Sequence, residues 1–271
     1  MTAALPLRAW LDRLRTGGRT AFLPYVTVGH PALTVMPGIL SMLADAGADG
    51  VELGMPFSDP IADGPVIQQS SFAALRGGVR FRDALRCAER AAALGLKVTL
   101  MSYLNPLLQA GRGAAIRAAA DAGVTGLIVP DLPVEEAGGW GKQSARSGIA
   151  LALFAAPTTP AGRLRAIDRQ ARGFIYYIPV MGVTGERAGV PRATIARVRS
   201  VCRLVRAPVV VGFGIGHPDQ ARAYARVAAG VIVGSALVRR LAGWRQGPEN
   251  RRRIAHWTRA MARAVHASGS R

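Results

Sequence analysis

A glutamate stands inside an apolar run, Gly50-Val51-Glu52-Leu53, and an aspartate follows in the step Ala62-Asp63-Gly64-Pro65. Both are carboxylates, and their settings could give them different proton chemistry. Side chains alternate along a strand, so Val51 and Leu53 face one way and Glu52 the other. The branched pair suits a helix-facing side, which turns Glu52 toward the space the strand encloses. A carboxylate buried without a cation beside it is costly and holds its proton more tightly than usual. Two readings of Glu52 follow: a structural residue paired with an arginine elsewhere, or a general acid/base. Asp63 also has two, as the cap of a helix beginning near Pro65 or as a second reacting carboxylate. The stiff residues before it, Pro56, Phe57, Asp59 and Pro60, make a more elaborate loop than a cap requires.

A second chemistry is written in glycine. Val211-Gly212-Phe213-Gly214-Ile215-Gly216 and Val233-Gly234-Ser235-Ala236 each end an apolar run, and the latter opens a helical pattern. Glycines let backbone N–H groups approach an anion, and a helix N-terminus favours one electrostatically. One such loop could simply be a tight turn. Two in succession read as a phosphate cradle, to which Gly182-Val183-Thr184-Gly185 could add a third wall.

These residues need a frame. Eight short β-branched runs recur: 22–28, 50–53, 97–101, 126–129, 150–155, 174–178, 208–212 and 231–234. Helical patterns separate them, several ending in Ala-Gly or Leu-Gly, a C-cap signal just before the next strand. Strict alternation implies a parallel sheet, and eight units imply closure. The expected fold is α/β, one (β/α)8 TIM barrel over residues 1–271. An extra amphipathic N-terminal helix carries Leu7, Trp10, Leu11 and Leu14 at helical spacing. Active sites in such barrels lie at the C-terminal ends of the strands. Glu52, the Asp63 loop and both glycine loops fall there.

Composition narrows the partners. Half of the 271 residues are hydrophobic, enough for a substantial core, and the longest apolar runs of about eight residues fall far short of a membrane span. The first residues lack the basic, apolar and small-residue regions of a secretion signal, so a cytoplasmic location is expected. Cys87 and Cys202 lie in different helical patterns without CxxC spacing and read as core thiols. The four histidines are scattered, so no metal site is expected. The net charge of +19 raises the question of nucleic acid. Arginines spread along every helical pattern, without interleaved aromatics or a binding signature, favour a solvated basic surface that still helps to attract an anionic substrate.

The stretch ELGMPFSDPIADGPVIQ closely resembles the signature of the tryptophan synthase α chain. FLPYVTVGHP, LMSYLNPLL, GLIVPDLPVEE, APTTP, GFIYY, GVTG, VVVGFGI and VIVGSALV follow in family order. The resemblance implies an indole-3-glycerol-phosphate lyase, cleaving by a retro-aldol route to indole and glyceraldehyde 3-phosphate in tryptophan biosynthesis. By motif, Glu52 and Asp63 match the two catalytic acids. Tyr25, Leu53, Tyr103, Ile128, Phe154, Tyr176 and Thr184 match the substrate site, with core packing as the alternative for the apolar ones. Gly185, Phe213, Gly214, Gly234 and Ser235 match the phosphate cradle. No cofactor or metal is implied, and the implied partner is a β chain in an αββα assembly.

Two positions depart from the family pattern. Gly29-His30-Pro31 stands where Gly-Asp-Pro is usual after the first strand, and Pro179-Val180-Met181 replaces a Ser-Arg-like pair before the Gly-Val-Thr-Gly loop. Alternatives to the α subunit are a free-standing indole-releasing lyase and a catalytically silent basic scaffold. A silent scaffold would need none of the site residues.

Overall fold

In the computed structural model, the described residues are 7–179 and 189–267. The strands are β1 Ala21–Thr27, β2 Gly50–Gly54, β3 Lys97–Met101, β4 Val124–Ile128, β5 Ala150–Ala155, β6 Ile175–Tyr177, β7 Val209–Val211 and β8 Gly230–Val233. They pair in parallel in chain order, and β8 returns to β1 to close the barrel. The strand expected over 231–234 ends one residue earlier, because Gly234 (φ −104°, ψ −90°) has already left the extended region. β6 and β7 keep only three residues each of the longer apolar runs, whose flanks lie in the connecting loops.

The helices before the second strand are α1 Leu7–Thr16 and α2 Met36–Asp45. Helices α3 Pro65–Arg76 and α4 Phe81–Ala93 follow β2, while α5 Leu104–Gln109 and α6 Arg112–Asp121 follow β3. The series continues with α7 Ala137–Arg146, α8 Ala161–Gln170, α9 Arg192–Leu204 and α10 Pro218–Ala225. After β8 come α11 Ser235–Leu241 and α12 Pro248–His266.

Strand alternation sorts the apolar side chains into two cores. Phe22, Val26, Val51, Leu53, Leu127 and Leu153 join the helices in an outer layer. Ala21, Leu23, Tyr25, Ile128, Ala152 and Tyr176 form the inner one, together with Leu7 and Leu11 of α1. The N-terminal helix therefore plugs the floor of the barrel. A Cβ on Gly126 would stand 2.5 Å from Leu7 Cδ2, so the missing side chain makes room for the plug. Nearby, Asp49 accepts from the Phe22 N–H at 2.9 Å, pairs with Arg19 at 2.5 Å and meets His266 Nε2 at 2.8 Å. That cluster fastens the end of α12 to the start of β1.

Both cysteines behave as packing residues: Cys87 is buried, Cys202 half-buried, and burial pushes each thiol up to about 11. Among the described residues no group of histidine, cysteine, aspartate and glutamate could hold a metal ion, and no helix is long and apolar enough to cross a membrane.

Candidate active site

Strand register places Tyr25 of β1 beside Glu52 of β2, and Glu52 beside Thr99 of β3. Glu52 is completely buried, and among the described residues neither carboxyl oxygen has a hydrogen-bond partner. Among the described residues no arginine pairs with Glu52, so the arginine-paired reading has no support there. Burial, reinforced by the nearby Asp63 charge, pushes its carboxyl from 4.5 up to about 8. A group held this way is protonated at neutral pH and can donate.

Asp63 does not cap α3. Gly64 occupies the cap position of that helix, without a side-chain cap bond. The Asp63 carboxylate instead accepts from the Tyr103 hydroxyl at 3.1 Å, while the Ala62 N–H donates to the same hydroxyl at 3.0 Å. Burial raises Asp63 to about 6, and the Tyr103 bond works in the opposite direction. The two acids are thus pushed apart: near pH 7 Asp63 is mostly charged and Glu52 mostly protonated.

Aromatic rings surround them. Phe154 stacks on Tyr176 at 4.7 Å between centroids, and Tyr176 meets Phe213 edge-on at 6.0 Å. Tyr103 stacks on Phe57 at 5.1 Å. The hydroxyls of Tyr25 and Tyr176 have room because glycine closes β2 and follows β7: a Cβ on Gly54 would collide with Tyr25, and one on Gly212 with Tyr176. Both Glu52 and Asp63 lie close enough to Tyr25 and Tyr176 to raise their phenols electrostatically, after burial. Ile128 belongs to the same inner core. Leu53 does not. Alternation turns its side chain into the outer layer with Val51, so the expectation that it borders the ring is corrected to a helix-packing role for that side chain.

The glycine loops meet at the same mouth. Phe213 (φ 78°) and Gly214 (φ 72°) both adopt positive φ, a costly conformation for phenylalanine. Such strain concentrates at ligand sites. Gly214 and Ser235 are exposed, and Ser235 opens α11, where the first N–H groups have no intrahelical acceptor. A Cβ on Gly234 would rest 3.6 Å from Tyr25, which links this loop to the acid pair. Thr184 and Gly185 lie outside the described residues, as do Val180 and Met181. Sequence reasoning missed Asp131, whose two oxygens accept the Leu104 N–H at 3.0 and 3.2 Å and so brace the Tyr103 loop. Its only signal was its place in the motif GLIVPDLPVEE.

This arrangement has close relatives. The family model for the tryptophan synthase alpha chain matches residues 11–266. The alpha chain of Carboxydothermus hydrogenoformans is 46% identical over 225 residues, covering 83% of this chain and 84% of that one. That of Geobacter sulfurreducens is 43% identical over 227 residues, covering 83% and 86%. Among solved structures, the alpha chain from Legionella pneumophila superposes with a TM-score of 0.86 at 31% identity, covering 99% of this chain and all of that one. A chain of tryptophan synthase from M. tuberculosis gives 0.85 at 35% identity, covering 97% and 100%. The span of the family model contains both acids, the aromatic wall and both glycine loops, and the chain belongs to the tryptophan synthase alpha chain family.

Proposed function

We propose that Glu52 and Asp63 perform the reaction that family membership assigns to this chain, the retro-aldol cleavage of indole-3-glycerol phosphate. Glu52 enters protonated and gives its proton to indole C3, which leaves the ring cationic. Asp63 accepts a hydrogen bond from the ring N–H and stabilises that charge. The Glu52 carboxylate then takes the proton of the glycerol hydroxyl on the carbon joined to C3. That oxygen becomes the aldehyde of glyceraldehyde 3-phosphate, the C–C bond breaks, and its electron pair returns to the indole ring. One proton is given and one regained, so Glu52 ends as it began.

The rest of the mouth orients the substrate. Tyr25, Tyr103, Ile128, Phe154 and Tyr176 hold the ring, and the amides around Phe213, Gly214, Gly234 and Ser235 hold the phosphate. Thr184 and Gly185 complete this set by resemblance. The route needs no metal or organic cofactor. The observation that carries the reading is the buried Glu52, unpartnered among the described residues and close to an anionic Asp63.

The chain acts, on this proposal, as one barrel domain in the cytoplasm and as the α subunit of an αββα assembly with a β chain. Ile61, 82% exposed in the loop after β2, and Leu108, 53% exposed on α5, place apolar side chains on loops at the strands' C-terminal side, where a partner could cover them. Purified protein is expected to release indole from indole-3-glycerol phosphate, to go faster when a β chain is added, and to lose at least about tenfold in kcat/KM on the dephosphorylated analogue, a modest share of what a charge-assisted phosphate grip contributes. Absence of indole release with and without the β chain would overturn the assignment. Release at a rate indifferent to the β chain would favour a free-standing lyase, and equal use of both substrates would remove the phosphate cradle.

A further inference from the structure

Tyr103 is bonded to two successive residues of the loop after β2. Its hydroxyl accepts from the Ala62 N–H at 3.0 Å and donates to Asp63 Oδ2 at 3.1 Å. Its ring stacks on Phe57 of the same loop. Elsewhere the Met55 N–H donates to the Met101 carbonyl at 2.8 Å, and Gln68 Nε2 donates to the Asp63 carbonyl at 2.9 Å and to that of Pro60 at 3.5 Å. Ser58, Asp59, Ile61 and Ala62 between them are exposed. Gln68 thus holds main-chain carbonyls of the loop, while the phenol from the next βα unit bonds the Asp63 carboxylate itself. Tyr103 is itself only 2% exposed, and Asp131 from the following unit pins the adjoining Leu104 N–H. The chain of contacts crosses three consecutive loops.

We propose that Tyr103 is a positioning residue for the lyase, its hydroxyl aiming the Asp63 carboxylate into the barrel mouth and holding it in the anionic form, with Asp131 acting through it. The inference rests on the role given to Asp63 above. Among the described residues, the ionisable groups that bear on Asp63 are Glu52 from β2, Tyr25 from β1, Tyr176 from β6 and Tyr103 after β3, with Asp131 behind Tyr103. None of these is a cation. A donated O–H is what favours the charged carboxylate among the described residues. Among the described residues the carboxylate's bond uses Oδ2, so Oδ1 is the oxygen assigned to the indole N–H.

Tyr103→Phe removes the hydroxyl and keeps the ring. The acid limb of the pH–kcat profile is expected to move up by about one unit, with kcat at pH 6 about fivefold lower and recovery toward pH 7.5, as loss of a hydrogen bond to a carboxylate requires. KM should stay within about twofold, the ring wall being intact. Asp131→Ala, which keeps the hydroxyl but frees its backbone, should move the limb in the same direction by less. An acid limb left in place by Tyr103→Phe, or a loss equal at every pH, overturns the inference. The control is Asp63→Asn: turnover within about tenfold of wild type, too small a loss for a group that stabilises the transition state, would overturn the role of Asp63 itself.

Discussion

Glu52→Gln is expected to lower indole-3-glycerol-phosphate cleavage by at least about two orders of magnitude, the usual range for losing general acid/base catalysis. The amide fills the same volume in a site with no solvent exposure. It cannot deliver a proton to C3 or receive one from the hydroxyl. Substrate affinity should persist, because the ring wall and glycine loops are untouched. Steady-state kinetics on the variant, with a binding measurement alongside, check both halves. Retention of more than about a tenth of wild-type turnover would make Glu52 structural.

The same substitution should make the protein more stable at alkaline pH. The folded-state pKa of Glu52 is raised, from 4.5 to about 8. Between those values the folded protein binds the proton that the unfolded chain has released. Its stability contribution is therefore fully present below about pH 4.5 and is lost as pH rises through about 8. Above that range the wild type must bury an ionised, unpartnered carboxylate. Glutamine never ionises and escapes this cost, so the variant should gain on the order of 3–5 kcal/mol at pH 9, and far less at pH 5. Denaturant unfolding of the two proteins at both pH values measures the difference. Equal stability at pH 9, or a variant less stable there, would mean that the Glu52 carboxylate is stabilised in the folded state. Activity and stability pull in opposite directions at this residue, a common feature of active sites.

The barrel was legible because strand and helix periods alternate through the whole sequence and because Glu52 breaks an apolar run at one parity. That parity also decides Leu53, whose family resemblance pointed to the ring while its own alternation turned it outward. The N-terminal plug could be read as an amphipathic helix, but its seat could not: Leu7 meets Gly126, a pairing far apart in the chain. Asp63 looked as much like a helix cap as a reacting acid, since Asp-Gly-Pro suits either role. What separates them is a bond to Tyr103, forty residues away, with no local signature. The bracing by Asp131 is hidden for the same reason. Strand lengths at β6 and β7 were overread, because apolar runs continue past the residues that pair.

The central claim is that one carboxylate holds a proton while its neighbour holds a charge, and the pH dependence of kcat/KM for the wild-type protein tests it most directly. The profile of kcat/KM reports the free enzyme. The expected profile is a bell, rising as Asp63 ionises near about 6 and falling as Glu52 loses its proton near about 8. A rate that continues to climb through pH 9 would contradict it, because the group required to donate would then be working without its proton.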